Sequence, residues 1–391
     1  MTRARAHAIR SEQGAVFVQV GISIFVLMAF NVFVLDYGMM LIGRRQAQNA
    51  ADAGALAGAV ARGYDDFDSP PASDGLAAES ALNVAAANLV WQQAPTPRVL
   101  FSCPAGVTGR CTRVEVYRNG QFASTPMPTL FGPILGIATQ GVKAMATAIT
   151  GNGNMTTCLK PWALPDEWNE FRAPSNEFNA WDAGGAPLAG PDTYTAPSAT
   201  VAVSYDISGH FGDYITFNES QPWDTSAITE SFVLPLTLPG GRTYLQNMTS
   251  CNGQPIVLGQ QLPIDTTIGD RTTALNAAMA LDASADYNYG DSYVINSCAP
   301  GCAAVSPRLF AIALYDPNDF QRRRSQSDWA ACPGGTPCVT VSNIVGFFIH
   351  RLSGAPFGRH GHLLKYPGMT ATGAPNFTDD GSWLVTTNLV R

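Results

Sequence analysis

Charge is what this sequence has least of: 14% of its 391 residues are Asp, Glu, Lys or Arg, against about a quarter in ordinary soluble domains. Only three are lysines (Lys143, Lys160, Lys365), and the net charge is −7. That balance excludes the basic surface a nucleic-acid partner requires. No cysteine precedes Cys103 and no pair is spaced Cys-x-x-Cys, which removes the usual zinc and dithiol frameworks. P-loop, Gly-x-Ser-x-Gly and His-Glu-x-x-His patterns are absent. So are heptads, solenoid periods and long low-complexity tracts. Hydrophobic residues are not scarce: at 46% they exclude a disordered chain, and the length allows two or three domains. With 37 Gly and 27 Pro, the composition suits a loop-rich exported domain.

One segment stands out. Ala15 to Leu35 is a run of 21 uncharged residues, interrupted only by Gln19, Ser23 and Asn31 among strongly polar side chains. At about 1.5 Å per residue it spans roughly the 30 Å hydrocarbon core of a bilayer. Arg3, Arg5 and Arg10 precede it against Glu12; Asp36, Arg44 and Arg45 follow. The run exceeds a signal-peptide core, and Arg44-Arg45 stands where a small-residue cleavage site belongs, so a retained anchor is expected. The charge bias gives a slight preference for a cytoplasmic leader. All eight cysteines (Cys103, Cys111, Cys158, Cys251, Cys298, Cys302, Cys332, Cys338) lie on the other side, which predicts disulfides in an oxidising compartment.

Beyond the span, Gly43 to Ala61 is Ala-rich and predicts a helix continuing out of the membrane, its small residues suited to close approach by a neighbouring helix. An acidic turn over Tyr64–Gly75 precedes a second helix over about Leu76–Gln93, with Leu76, Ala77, Ser80, Val84, Ala87 and Val90 on one stripe. Val99–Phe101 and Arg113–Tyr117 flank a Cys103–Cys111 loop and predict a disulfide-pinned hairpin. Val142–Thr150 reads as a strand or short helix. After Cys158, strand-like runs over Thr200–Tyr205, Ser231–Leu238, Ser306–Leu314 and Val339–Phe348 alternate with turns, and only Arg271–Ala285 reads as helix. The fold class is therefore α+β: a transmembrane helix, its Ala-rich extension, then a disulfide-containing β-rich domain. The expected divisions are a leader over 1–14, the span over 15–37, a helical and mixed region over 38–157 and a β-rich domain over 158–391.

Eight cysteines allow 105 pairings. Cys103 with Cys111 and Cys332 with Cys338 close short loops; Cys298 and Cys302 pair together, or each pairs with Cys158 or Cys251. His360 and His362 would share one face of a strand, a candidate metal pair, although surface histidines beside a turn are the simpler expectation. Gly290-Asp291-Ser292 is similar to a GDS-type hydrolase block but has no matching Asp-x-x-His. Asp282-x-Ser284-x-Asp286 and Asp206-x-Ser208 fall short of the metal motif of von Willebrand A domains, and Asp286-x-Asn288-x-Gly290 fails the EF-hand pattern. Cys158-Leu159-Lys160-Pro161-Trp162-Ala163-Leu164-Pro165-Asp166-Glu167-Trp168 is expected to cap a core at a domain junction, or to form a Trp-bearing binding surface. No catalytic residue, metal ligand, cofactor or small-molecule substrate is assigned.

A family resemblance then enters. Gln13-Gly14-Ala15-Val16 leads into the apolar helix. Asp36-Tyr37-Gly38 follows it, and then Arg44, Gln46, Asn49-Ala50-Ala51-Asp52-Ala53 and Ala55-Leu56-Ala57. This stretch resembles the TadE/TadG-like proteins of the Flp (tight adherence, Tad) pilus-assembly system, and the Cys158–Trp168 block is similar to a recurrent feature of TadG-like periplasmic regions. The resemblance implies a single-pass bacterial inner-membrane protein with a periplasmic C-terminal domain, a non-enzymatic structural or accessory part of pilus assembly or adherence whose partners are other assembly proteins. Its transmembrane and Ala-rich helix would pack on partner helices. TadE-like pseudopilins carry Glu at the fifth mature position; cleavage after Gly14 would leave Gln19 there, which points to the uncleaved TadG-like members. Two rival readings are a minor pilin-like subunit processed near Gly14, and a periplasmic hydrolase using Ser292 or metal enzyme using His360 and His362.

Overall fold

A computed structural model describes residues 4–64, 71–198, 200, 207–219, 223–267, 271–290, 292–303, 305–353, 358–375, 378 and 381–390. Most of the predicted strand over 200–205, Asp206, Asp291 and residues 65–70 of the acidic turn lie outside them. The chain divides into two compact units, residues 1–150 with 387–391, and residues 151–386.

In the first unit, helix α1 (Ala4–Tyr64) runs without a break from the apolar segment into the Ala-rich segment. From Val16 to Leu35 its large apolar side chains, Val32 aside, are exposed. From Ala47 onward the pattern reverses: Ala47, Ala50, Ala51, Ala55 and Ala59 are fully buried. Helix α2 (Leu76–Ala87) packs on this second half. Strands β1 (Thr96–Leu100), β2 (Arg110–Arg118) and β3 (Val142–Asn152) form an antiparallel layer, with Leu100 opposite Arg113 and Arg118 opposite Val142. The β1–β2 hairpin and its Cys103–Cys111 disulfide are as predicted, and 142–152 is a strand. Val114, Val116, Ala144, Ala146 and Ala148 share one core with the buried alanines of α1 and α2.

Two expectations about α2 are corrected. The helix ends at Ala87 rather than Gln93, because Asn88 leaves helical geometry (ψ 95°) while its side-chain amide donates to the Val84 carbonyl at 2.8 Å. Trp91 and Gln92 then adopt φ of +52° and +61°, which no helix accommodates. The buried stripe is Ala77, Ala78, Ala81 and Ala85, whereas Leu76 and Val84 are exposed. The face opposite α1 must be small because the two backbones approach closely.

In the second unit, β4 (Leu159–Pro165), β5 (Tyr214–Glu219), β6 (Phe232–Pro235), β7 (Gln261–Pro263), β10 (Leu309–Tyr315), β11 (Cys338–Ser353) and β12 (Gly358–Leu364) form one seven-stranded sheet. The short hairpin β8 (Asp286–Asn288) and β9 (Tyr293–Ile295) stands apart from it in the pairing. Since β11 pairs with both β10 and β12, the hydrogen-bonding path β11-β10-β4-β6-β5-β12-β11 is closed, with β7 added on β11. Alternation along β10 sends Phe310, Ile312 and Leu314 to one core and Ala311, Ala313 and Tyr315 to the other. Both faces are thus covered, which is why this strand reads as a continuous apolar run.

Helices α3 (Tyr244–Thr249), α4 (Thr272–Ala280) and α5 (Pro317–Gln326) also belong to the unit, with a single helical turn at Ile207–His210. Of the predicted helix Arg271–Ala285 only Thr272–Ala280 is α-helical, and α5 was not expected, although its start is marked in the sequence. The Asp316 side chain accepts from the Asp319 N–H at 2.9 Å and Pro317 follows at the first helical position. The remaining disulfides are Cys158–Cys251, Cys298–Cys302 and Cys332–Cys338, and no cysteine is free.

Candidate functional site: the helix-borne seam and the membrane-proximal loop

The residues that carried the family resemblance line one long helix, and the first unit is built on one face of them. Gly54 and Gly58, four apart, face α2. An added Cβ at Gly54 would lie 2.8 Å from the Ala81 carbonyl oxygen and 2.8 Å from the Ala85 Cβ. At Gly58 it would lie 2.8 Å from both the Ala81 Cβ and the Thr112 Cγ2. Ala50, Ala51 and Ala55 are fully buried beside them, and Leu56 packs against the same core. This is the glycine-spaced close contact common between membrane helices, formed here within one chain. The expectation that the Ala-rich extension packs on partner helices is therefore corrected for this face, since α2 and the sheet already occupy it.

Polar motif residues tie the seam along its length. The Asp36 carboxylate is buried and accepts from the backbone N–H groups of Leu130, at 2.8 Å, and Phe131, at 3.3 Å. The Gln46 side-chain carbonyl accepts from the Trp91 N–H at 2.8 Å, fixing the turn after α2. The Gln48 amide donates to Asp52 at 2.8 Å and to the Met145 carbonyl at 3.0 Å. Further along, Arg62 donates to the Cys111 carbonyl at 2.6 Å and the Thr150 hydroxyl to the Ala59 carbonyl at 2.7 Å. Tyr37, Arg44 and Asn49 face outward, with Tyr37 stacked on Phe33 at 5.7 Å. Gly38, Ala53 and Ala57 are half-buried. The motif thus splits into a buried docking face and an exposed polar and aromatic face.

Asp36 also fastens the loop between β2 and β3. Its two backbone donors open a closed loop, Leu130–Ile137, in which the Thr129 hydroxyl donates to the Ile137 carbonyl at 2.6 Å and the Ile137 N–H to the Gly132 carbonyl at 2.9 Å. Leu130, Ile134 and Ile137 are 62%, 73% and 56% exposed. The signal was legible: residues 119–142 contain no charged side chain.

Among the described residues, the other singled-out side chains have separate surroundings. His360 and His362 do lie on one strand, β12, but His362 is fully buried, stacked on Tyr287 with ring centroids 3.6 Å apart. That corrects the expectation of surface histidines beside a turn. Its Nδ1 hydrogen-bonds to the Gly212 carbonyl at 2.9 Å, while His360 Nδ1 meets the Thr216 hydroxyl at 2.9 Å. Ser292 sits at φ +55° on the turn between β8 and β9. Asp282 accepts from Ser297 and Ser306, each at 2.6 Å, and from the Cys298 N–H at 2.9 Å. Burial raises its pKa, but these bonds and nearby Arg308 outweigh it and hold the group below the usual carboxylate range. Ser284 bonds instead to the Asn296 carbonyl, and Asp286 to His350 at 2.9 Å. The three side chains of the Asp282 motif thus have separate partners. Among the described residues no three His, Cys, Asp or Glu side chains converge as metal ligands.

The aromatic block is a central strand rather than a cap. Every residue of β4 is buried, Trp162 donates to the Tyr244 hydroxyl at 2.6 Å, and Lys160 donates to the Asn247 and Ser250 carbonyls at the end of α3. Burial and then the nearby Arg242 bring the Lys160 pKa down to about 8. A cleft of about 440 Å³ in this unit is lined by Glu167, His210, Asp213, Tyr214 and Glu230 among others. His210 bridges Glu167 at 3.2 Å and Asp213 at 2.9 Å. The bond to Glu167, then that to Asp213, outweigh burial and push its pKa up to about 9. An imidazolium held between two carboxylates is a poor general base near neutral pH.

Helix α1 is long and apolar enough to cross a membrane, with mean hydropathy 2.3 in its most apolar window and none of that window buried. No curated protein and no solved structure matches the chain. Residues 14–61, the apolar helix together with its seam, match the family model of the Flp pilus-assembly TadE/G-like domain.

Proposed function

We propose that this protein is a single-pass, membrane-anchored accessory component of Flp (Tad) pilus assembly of the TadG-like kind, working without catalysis and carrying its disulfide-bonded units in the periplasm. The observation that carries this reading is the coincidence of three features in one helix: the family match over 14–61, the exposed apolar stretch, and the buried seam that fuses the helix to its own domain. A helix welded to a folded unit in this way transmits position from the bilayer to that unit. Four disulfides, all after the apolar stretch, support an oxidising compartment for both units. The outward face of the seam, with Tyr37, Arg44 and Asn49, is the side left for assembly partners. The fourth residue after Ala15 is Gln19, which supports an uncleaved chain over the pilin-like alternative. Deleting the gene should abolish surface pili and adherence, and in spheroplasts external protease should reach the two units but not the leader. Normal piliation in the deletion strain would overturn the proposal.

A further inference from the structure

We propose that the Leu130–Ile137 loop is a second membrane contact, lying in the headgroup–acyl boundary of the bilayer beside α1. The inference rests on the anchor reading above, and its occupant is lipid. Asp36 directly follows the 21-residue apolar run, so the point where the loop is fastened is the point where the hydrocarbon ends. A carboxylate there would be costly to leave unpaired near lipid; it is instead satisfied by the backbone N–H groups of Leu130 and Phe131. The same two bonds turn the loop so that its aliphatic side chains stay outside the core: Leu130, Ile134 and Ile137 are 62%, 73% and 56% exposed. On the helix at this level, Phe33 and Leu35 are likewise exposed, at 64% and 49%. Loop and helix thus form one apolar patch continuous with the span.

Loop chemistry fits the boundary. Internal bonds from the Thr129 hydroxyl and the Ile134, Gly136 and Ile137 N–H groups close part of its backbone, which lowers the cost of lying beside lipid. Arg44 and Arg45, exposed two helical turns beyond Asp36, lie about 12 Å up the helix axis, from where their long side chains reach back towards the headgroups. The exposed aliphatic side chains of the loop lie in a stretch without a charged residue from 119 to 142, the composition a lipid-facing surface requires.

The test uses full-length protein in vesicles of phosphatidylethanolamine and phosphatidylglycerol, with one added cysteine bearing the fluorophore NBD. Three sites are compared: Ile134→Cys in the loop, Phe25→Cys in mid-span and Ser73→Cys as an aqueous control. Spin-labelled lipids carry the quencher either near the headgroup or deep in the acyl chain. The proposal expects blue-shifted emission at 134, quenched more by the shallow label than by the deep one. Position 25 should show the reverse order, and position 73 no quenching. Quenching at 25 without quenching at 134 overturns the loop contact and leaves the anchor standing. No quenching at 25 overturns the anchor reading and the loop contact with it.

Discussion

Gly54 lies against the Ala81 carbonyl so closely that an added Cβ would sit 2.8 Å from that oxygen. The neighbour is backbone on a helix that is itself packed, so it cannot swing aside. Gly54→Ala should therefore push α1 and α2 apart and destabilise the first unit by about 1–3 kcal/mol, with Gly54→Val worse. The measurement is thermal unfolding in detergent, alongside hydrogen exchange in α2. Substituting exposed Asn49 by Ala should change little.

Asp36 satisfies two backbone donors at once. Removing the acceptor in Asp36→Ala leaves them unpaired, a cost of about 1–3 kcal/mol. Asp36→Asn keeps one oxygen acceptor and should lose less. Amide exchange at Leu130 and Phe131 should quicken strongly in the first variant and mildly in the second, while the β2–β3 ladder stays protected.

The disulfides should differ in weight. Cys158–Cys251 closes a separation of 93 residues and Cys298–Cys302 one of 4. Loop-closure entropy puts their contributions at about 4.6 and about 1.9 kcal/mol. Replacing both cysteines of the long bridge by Ala should cost clearly more in urea unfolding of the chain than replacing both of the short one. Equal losses would count against the entropic account.

Two histidines of the second unit should act on opposite sides of neutrality. His210, held by Glu167 and Asp213, has its pKa raised to about 9. Its contribution is full below the unfolded value of about 6.5 and fades as pH rises through 9. His362 is lowered, chiefly by burial. Its contribution is full above the unfolded value and fades as pH falls through the folded one. Stability measured against pH should decline on both limbs; His210→Gln should flatten the alkaline limb and His362→Asn the acid one.

The resemblance over residues 10–61, the anchor-length helix and the two short disulfide loops were legible because each is local. A 21-residue apolar run, an Ala-rich continuation and cysteines six or eight apart constrain the chain without reference to anything distant. The α2 stripe was misread because periodicity marks which residues could be buried by size, whereas Leu76 and Val84 lost to alanines for a reason that lies in α1. His362 looked like a surface residue because its stacking partner, Tyr287, is 75 positions away in sequence.

By itself, then, the sequence determined the local facts: a helix of membrane-spanning length, an Ala-rich continuation and an even set of cysteines, all placed after the apolar run. The tertiary structure decided what those parts do to one another. It turned the small residues of α1 from a partner-facing stripe into an internal seam, brought Asp36 to a loop 94 residues away, and paired Cys158 with Cys251. Each of these is a long-range contact, fixed by close packing and by the need of buried polar groups for partners. Neither requirement leaves a trace in local spacing.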